Sequence, residues 1–356
     1  MKTKIFTLFL VMFTVFSFAQ KKLNVVVVGL SHDHAHVIMN EYKEDKVNIS
    51  GIVENNPALI ARYSKSYKLV DSLFYNDLKT ALTTLNPDAV LAYNPISEHI
   101  DVARIALPMH IPVMVEKPLA TTTKDAKEMA ALARENSTPL LTNYETTWYG
   151  SNQTLAQKVK ATEFGTIKKM IAKDGHQGPK EIGCSPEFLA WLTDPIKNGG
   201  GALTDFGCYG ANLMTWLKNG QRPIAVTAIT RNFKPDTYPK VDDDATIILE
   251  YTDGNGIIEA SWDWSYSIKG FQVYGDRLAY NALDGNTLKL QKQSNKAEKV
   301  ELINDYYKDH LTYLQAVLNG EIKAENDLSS LKNNLIVVEI LQAAVKSATT
   351  GQRIEL

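Results

Sequence analysis

Leu23-Asn24-Val25-Val26-Val27-Val28-Gly29-Leu30-Ser31-His32-Asp33-His34 decides the fold. Its first six residues form an apolar, β-branched run that stops at a glycine, as a buried parallel strand does. The same grammar then repeats. A helix is expected over 36–41, then a strand over 48–53 ended by Glu54, and helices over 57–67 and 76–85. A strand at 88–92, a helix at 97–107, a strand at 111–115 and a helix at 122–135 follow. Pro57, Pro87, Pro95, Pro112 and Pro139 stand at the joints, where proline belongs. Such βα alternation implies an α/β fold with a doubly wound parallel sheet and a ligand at the strands' carboxyl ends.

The second half reads differently. Extended runs at 224–230, 245–251, 256–264, 271–274 and 278–282 are parted by turns such as Asp253-Gly254-Asn255-Gly256. An open, mostly antiparallel sheet is expected there, in an α+β domain. Helices over 304–318 and 327–347 close the chain and can return to the first domain. The expected division is 1–19 as signal peptide, 20–142 as the first domain and 143–356 as the second.

Lys2 and Lys4, an apolar run from Ile5 to Phe18, and the small-residue exit Ser17-Phe18-Ala19 carry the signal-peptide reading. The run is short for a transmembrane helix. No Cys follows it and the segment has no Arg, so neither a lipid anchor nor twin-arginine export is indicated. The mature chain is therefore expected in the periplasm or outside the cell, with no membrane anchor after cleavage. Roughly 335 residues exceed what one core usually serves, which again gives two domains. The formal charge of −2 loses two lysines with the leader and becomes −4. That mild acidity argues against a nucleic-acid partner. Cys184 and Cys208 are the two cysteines, enough for one disulfide and too few for a disulfide scaffold.

Between the halves lies Gly199-Gly200-Gly201-Ala202-Leu203-Thr204-Asp205-Phe206-Gly207-Cys208-Tyr209-Gly210-Ala211-Asn212-Leu213-Met214-Thr215-Trp216-Leu217. The glycines let the backbone enter a helix tightly. Leu203, Phe206, Gly207, Gly210, Met214 and Leu217 recur at helical spacing and give one buried stripe. Asp205, Tyr209, Asn212 and Trp216 fall on a second stripe of the same expected helix. A carboxylate, a phenol and an amide pointing one way suit a polyhydroxylated substrate.

The segments VVVVGLSHDHAH, GIVENNP, YNPISEH, VEKPLA and GGGALTDFGCYGANLMTWL, in this order, resemble the Gfo/Idh/MocA family. Val241-Asp242-Asp243-Asp244 before a strand and the terminal AAVKSATTGQRIEL agree, so the resemblance covers essentially the whole mature chain. It implies a nicotinamide-binding Rossmann domain, a substrate domain with an open sheet, and a homo-oligomer. It also implies that Lys117, after Glu116, works on the reacting hydroxyl with Asp205 and the residue four places on. That residue is most often His in the family; here it is Tyr209, followed by Asn212, as in the glucose–fructose oxidoreductase branch. A free Tyr is a weak base at neutral pH unless a cation favours phenolate. Whether Tyr209 or Lys117 takes the proton stays open at this level.

The dinucleotide turn departs from the glycine-rich pattern. Only Gly29 survives, with Ser31 at the closest approach to pyrophosphate and His34 where the helix packs on the strand. Expected cofactor contacts are Gly29, Ser31, His32, His34 and Glu54, together with Asn94, Pro95, His99, Glu116 and Lys117, which the resemblance implies. Glu54 fits a ribose-binding acid with no Arg adjoining, which favours NAD and leaves NADP possible. His32, Asp33, His34 and His36 crowd one turn, but no Glu-x-x-His accompanies them; capping or solvated histidines are expected and no metal. Tyr144, His176 and Asn212 are the candidate sugar contacts, with Trp148, Trp191 and Trp262 as further stacking surface. Three function classes fit: an exported sugar oxidoreductase holding its nicotinamide tightly; a glycosidase or lyase that oxidises its sugar transiently; and a cofactor-free sugar-binding protein.

Overall fold

A computed structural model describes residues 22–161, 164–291 and 297–356. The signal-peptide segment lies outside the described residues.

The first domain runs β1 (Asn24–Val28), α1 (Ala35–Lys43), β2 (Asn48–Val53), α2 (Pro57–Tyr67), β3 (Phe74–Tyr75), α3 (Leu78–Leu85), β4 (Ala89–Ala92), α4 (His99–Ala106), β5 (Val113–Glu116), α5 (Thr123–Glu135) and β6 (Leu140–Asn143). These strands form a six-stranded sheet in the order β3-β2-β1-β4-β5-β6, and every pairing in it is parallel. Alternate residues of β1 explain the two-sided winding. Val26 and Val28 enter a core with helices α3, α4 and α5; Val25 and Val27 enter another with α1 and α2.

The second domain continues with α6 (Gly150–Lys160), β7 (Ile167–Gly175), α7 (Pro186–Leu192), α8 (Ala202–Asp205), α9 (Gly207–Leu217), β8 (Ala225–Arg231), β9 (Asp244–Tyr251), β10 (Gly254–Ser261), β11 (Ile268–Gly275), β12 (Ala279–Asp284), β13 (Thr287–Leu290) and β14 (Ala297–Lys299). It ends with α10 (His310–Leu318), α11 (Leu331–Thr350) and β15 (Ile354–Glu355). The nine-stranded sheet has the order β14-β13-β12-β11-β7-β10-β9-β8-β15. Its described pairings are antiparallel except β7 with β10. The last helices do return: Leu311, Tyr313 and Leu314 of α10 join the core around Val25 and Val27.

Strand β7 was not expected from sequence, yet it lies mid-sheet. Its lysines occupy outward positions while Met170, Ala172 and Asp174 are buried. One buried acid and three lysines in nine residues hide the alternation.

The glycine-rich entry also differs from expectation. Asp205 and Tyr209 do not share one uninterrupted helix, because the chain breaks at Phe206 (φ −101°, ψ −30°) between α8 and α9. Asp242 fixes the entry: its carboxylate accepts from Gly201 N–H (2.9 Å) and Leu203 N–H (2.7 Å), and its carbonyl from Ala202 N–H (3.0 Å). A Cβ on Gly201 would fall on that carbonyl oxygen, deep inside van der Waals contact. Gly201→Ala should therefore cost about 2–3 kcal/mol of stability, read from urea unfolding; an unchanged midpoint would contradict this packing.

Candidate active site

Strand β5 ends at Glu116 and delivers Lys117 to the sheet's carboxyl edge; the following peptide to Pro118 is cis. The Lys117 side chain is only 5% exposed. Its ammonium donates to the Asp205 carboxylate and to the Asp205 carbonyl oxygen (3.0 Å). The other carboxylate oxygen accepts the Trp262 indole N–H (3.0 Å). Burial pulls the Lys117 ammonium down, but the Asp205 charge outweighs it and the group stays protonated. For Asp205, burial pushes upward and Lys117 outweighs it, holding the carboxyl below its ordinary value.

Tyr209, in the first turn of α9, lies beneath two cations. Lys117 Nζ is 5.1 Å and Lys269 Nζ 4.6 Å from its ring centroid. Even so, burial and the nearby Glu145 push the phenol well above its ordinary value. Phenolate is not favoured, and Tyr209 is a donor. Lys269 also pairs with Glu145, whose other oxygen accepts from Tyr149 Oη (2.5 Å). His176, just past β7, accepts Gly178 N–H on Nδ1 (2.9 Å), so its neutral ring carries the proton on Nε2. Burial lowers its pKa, and the Phe206 ring edge packs against it at 4.8 Å. These groups line one cavity of about 700 Å³ together with His32, Asp33, His34, Phe188, Leu192 and Asp284.

The βα turn after β1 borders that cavity. Gly29 has φ +79°, and a Cβ there would lie 2.8 Å from Asn94 Cα, so this one glycine is required. Gly29 N–H donates to Val53 O, Leu30 N–H to Glu54 Oε2 (2.8 Å) and His32 N–H to Tyr93 O (3.0 Å). Ser31 and Asp33 N–H carry no hydrogen bond among the described residues, and the buried Asn94 Oδ1 has no partner. Two open amides at the start of α1 and one orphaned acceptor fit a dinucleotide, whose phosphates and ribose would use them. A second-domain segment covers this turn. Ser185 N–H donates to Asp33 Oδ2 (2.8 Å), Trp191 Nε1–H reaches Ser31 O (3.4 Å), and Phe188 packs on His32 (4.7 Å).

Both domains match family models. Residues 23–144 match the oxidoreductase-family NAD-binding Rossmann fold, and residues 152–280 the GFO/IDH/MocA C-terminal domain. The chain belongs to the Gfo/Idh/MocA family. Its first domain is thus an NAD-binding Rossmann domain. Trans-1,2-dihydrobenzene-1,2-diol dehydrogenase of Xenopus laevis is 30% identical over 161 residues, 45% of this chain and 44% of that one, so the match spans under half of that relative. D-glucoside 3-dehydrogenase of Escherichia coli (strain K12) is 22% identical over 303 residues, 79% of this chain and 83% of that one. An inositol dehydrogenase homologue from Azotobacter vinelandii, solved with NAD+, superposes with a TM-score of 0.80 at 18% identity, over 94% of this chain and 98% of that one. This last likeness speaks to the fold alone.

Within this family member the structure gathers Lys117, Asp205, Tyr209, His176, His32 and His34 around one cavity. Glu116 stands behind His34 (Nδ1 to Oε2, 2.9 Å). Gly29, Ser31, Asn94 and Pro95 lie along the turn and the end of β4. Glu54 closes β2 with its carboxylate turned back on Leu30, Asn55 and Asn56 N–H.

Three expected contacts do not reach the site. Asn212 is buried against α11, donating to Leu328 O (2.8 Å) and Asn334 Oδ1 (3.3 Å); the break at Phe206 turns α9 away from the line Asp205 sets. Tyr144 is buried edge-on behind Tyr209. His99 is sealed against Leu119 O (3.1 Å). Trp148, Trp191 and Trp262 do not line the cavity either; Trp262 orients Asp205 and Trp191 caps the turn. His36 stacks on Tyr63 (4.8 Å) and bonds Tyr67 Oη (2.8 Å), away from His32. Both cysteines are free.

Sequence reasoning missed Glu145, Tyr149, Lys269 and Asp174. The i, i+4 spacing of Glu145 and Tyr149 was the one available signal. Asp174 opposes Lys269 across β7 and β11. It is buried, neither of its oxygens has a partner among the described residues, and burial raises its pKa to about 8 despite Lys269. The folded chain thus holds a proton there that the unfolded chain releases near 3.8, so this group removes stability as pH rises from about 4 to about 8. Asp174→Asn should gain melting temperature over the wild type at pH 9 relative to pH 5. A pH-independent difference in thermal melts would defeat that assignment.

Proposed function

We propose that this chain is an exported NAD-dependent oxidoreductase acting on a secondary hydroxyl of a sugar or sugar derivative. The observation that carries the proposal is the buried Lys117–Asp205 pair, joined across the two domains at a cavity that Tyr209 floors. NAD, when bound, supplies the hydride acceptor. Ser31 and Asp33 N–H would meet its phosphates, and Asn94 and Glu54 its ribose hydroxyls. Glu54 also disfavours the 2′-phosphate of NADP.

The chain's own groups orient the substrate. Two Lys117 donors are held by Asp205, and the third is left for the reacting oxygen. There the ammonium stabilises negative charge as it develops. Tyr209 and His176 offer further donors to neighbouring hydroxyls. Glu145, Lys269 and Tyr149 form a polar wall for the rest of the molecule, and Phe188, Leu192 and Phe206 exclude water. Assembly as a homo-oligomer through the open sheet face, where Ile229 and Ile248 stand exposed, belongs to the same proposal.

Lys117→Ala should lower turnover of a responsive aldose or methyl glycoside by about 10²–10⁴, while NAD affinity and circular dichroism stay near wild type. A loss under tenfold would refute the role. Glycoside cleavage with no net NADH would favour the transient-oxidation enzyme instead. Expressed with its leader in a bacterial host, the chain should begin at Gln20 or within a few residues of it. Met1 retained on soluble cytoplasmic protein would defeat the export assignment.

A further inference from the structure

The oxidation above leaves one position unfilled. As the hydride leaves carbon, the hydroxyl proton needs an acceptor, and the groups nearest Asp205 are poorly suited. Lys117 and Tyr209 keep their own protons. Asp205 is held below its ordinary value by Lys117, which makes it a weak base. His176 has its Nδ1 lone pair committed to Gly178 N–H. The buried His32 has its own committed to His34 N–H (3.1 Å).

His34 is built differently. Its Nδ1 lies 2.9 Å from Glu116 Oε2, and the other Glu116 oxygen accepts Asn143 Nδ2–H (2.8 Å). Burial pushes Glu116 up, but His34 outweighs it, and the hydrogen bonds from His34 and Asn143 hold the carboxyl in its ionised form. An ionised carboxylate is acceptor-only, so His34 must present N–H at Nδ1, and the neutral ring keeps its lone pair on Nε2. Nε2 carries no hydrogen bond among the described residues. The side chain is 40% exposed and lines the same cavity as Lys117, Asp205 and Tyr209.

We propose that His34, oriented by Glu116, is the proton acceptor for the substrate hydroxyl. This rests on the oxidoreductase reading. The O–H bond breaks to His34 Nε2, the C–H bond gives its hydride to NAD+, and the carbon–oxygen double bond forms. His34 becomes imidazolium against Glu116, and reduction runs the same steps backwards. Around His34 the charged and titratable groups are Glu116 on β5, Glu145 before α6, His32 in its own turn and His310 at the start of α10. Two carboxylates thus face the imidazolium, and the two other imidazoles are kept neutral by burial.

The same residues could be read as a metal cluster, since donor atoms of His32, His34 and Glu116 lie within 4.8 Å of one another. The hydrogen bonds argue otherwise: His32 Nδ1 accepts His34 N–H within the turn, which leaves its neutral ring with a proton on Nε2, and Glu116 on β5 is spent on His34 Nδ1 and Asn143.

The test uses the full mature protein with NAD and a methyl glucoside, or whichever aldose or glycoside the wild type turns over. His34→Gln should cut kcat by about 10²–10³ and leave the NAD dissociation constant within threefold. Imidazole should restore part of the rate to His34→Gly. Glu116→Gln should also lower kcat. Asn143 would take its amide oxygen, leaving its NH₂ to face Nδ1 and reverse the tautomer. Nitrogen NMR of the histidines reads this without turnover: neutral His34 should be Nδ1–H in the wild type and Nε2–H in Glu116→Gln. Full activity in His34→Gln, a loss matched by weaker NAD binding, an Nε2–H wild type, or a stoichiometric metal whose removal abolishes activity would each overturn the proposal. A wild type that binds NAD but oxidises no sugar would instead defeat the oxidoreductase reading, and this role with it.

Discussion

The ion pair between Lys117 and Asp205 is the interaction on which the site depends. Lys117 comes from the end of a Rossmann strand and Asp205 from the end of α8, so the pair fixes one domain against the other. Taking two charges out of water is expensive, and Coulomb attraction compensates only when the remaining donors and acceptors are also met. Here they are met from several directions: the Asp205 carbonyl for Lys117, the Trp262 indole for Asp205, and Asp242 for the backbone that carries Asp205. Trp262 and Asp242 touch no reacting atom in this scheme, yet they set where the charges stand.

The same charges explain the tyrosine. Position 209 lies within about 5 Å of two ammonium groups, at 5.1 and 4.6 Å from the ring centroid. An imidazole there would be denied its proton by both cations and by burial. A phenol ring offers those cations its electron-rich face and needs no charge of its own. Tyrosine at this place therefore matches Lys269, which no motif in the sequence announces. It also moves the acid–base task elsewhere in the cavity.

Much of the first domain was legible because its strands are buried on both faces and its joints carry proline. The second domain was legible only where alternation survives. In β7, Lys168, Lys169 and Lys173 face out while Asp174 sits inside, so the buried set includes an acid and the pattern fails. Asp205 was readable from the glycine-led stretch that carries it, and Lys117 from the family resemblance of the Glu116-Lys117-Pro118 segment. Asn212 was misplaced because helical spacing says which residues share a face only while the helix continues, and this one breaks at Phe206; Tyr144 and Trp262 lie on other elements and pack behind Tyr209 and Asp205. Glu145 and Lys269 meet across 124 residues of chain, and no local pattern encodes such a contact.

The altered glycine turn follows the same logic. Gly29 is needed because Asn94 leaves no room for a Cβ, whereas the side chains after it meet a covering surface supplied from the other domain. Phe188 and Trp191 pack on the His32 ring, and the Asp33 carboxylate is capped by Ser185. A turn of three glycines would leave those aromatic rings nothing to pack against. The histidines fill that gap, and in doing so they bring His34 to Glu116 at the cavity wall. The segment that covers the turn lies between β7, which carries Asp174 and leads to His176, and α8, which carries Asp205. One segment therefore both covers the turn and joins the two elements that bring His176 and Asp205 to the cavity.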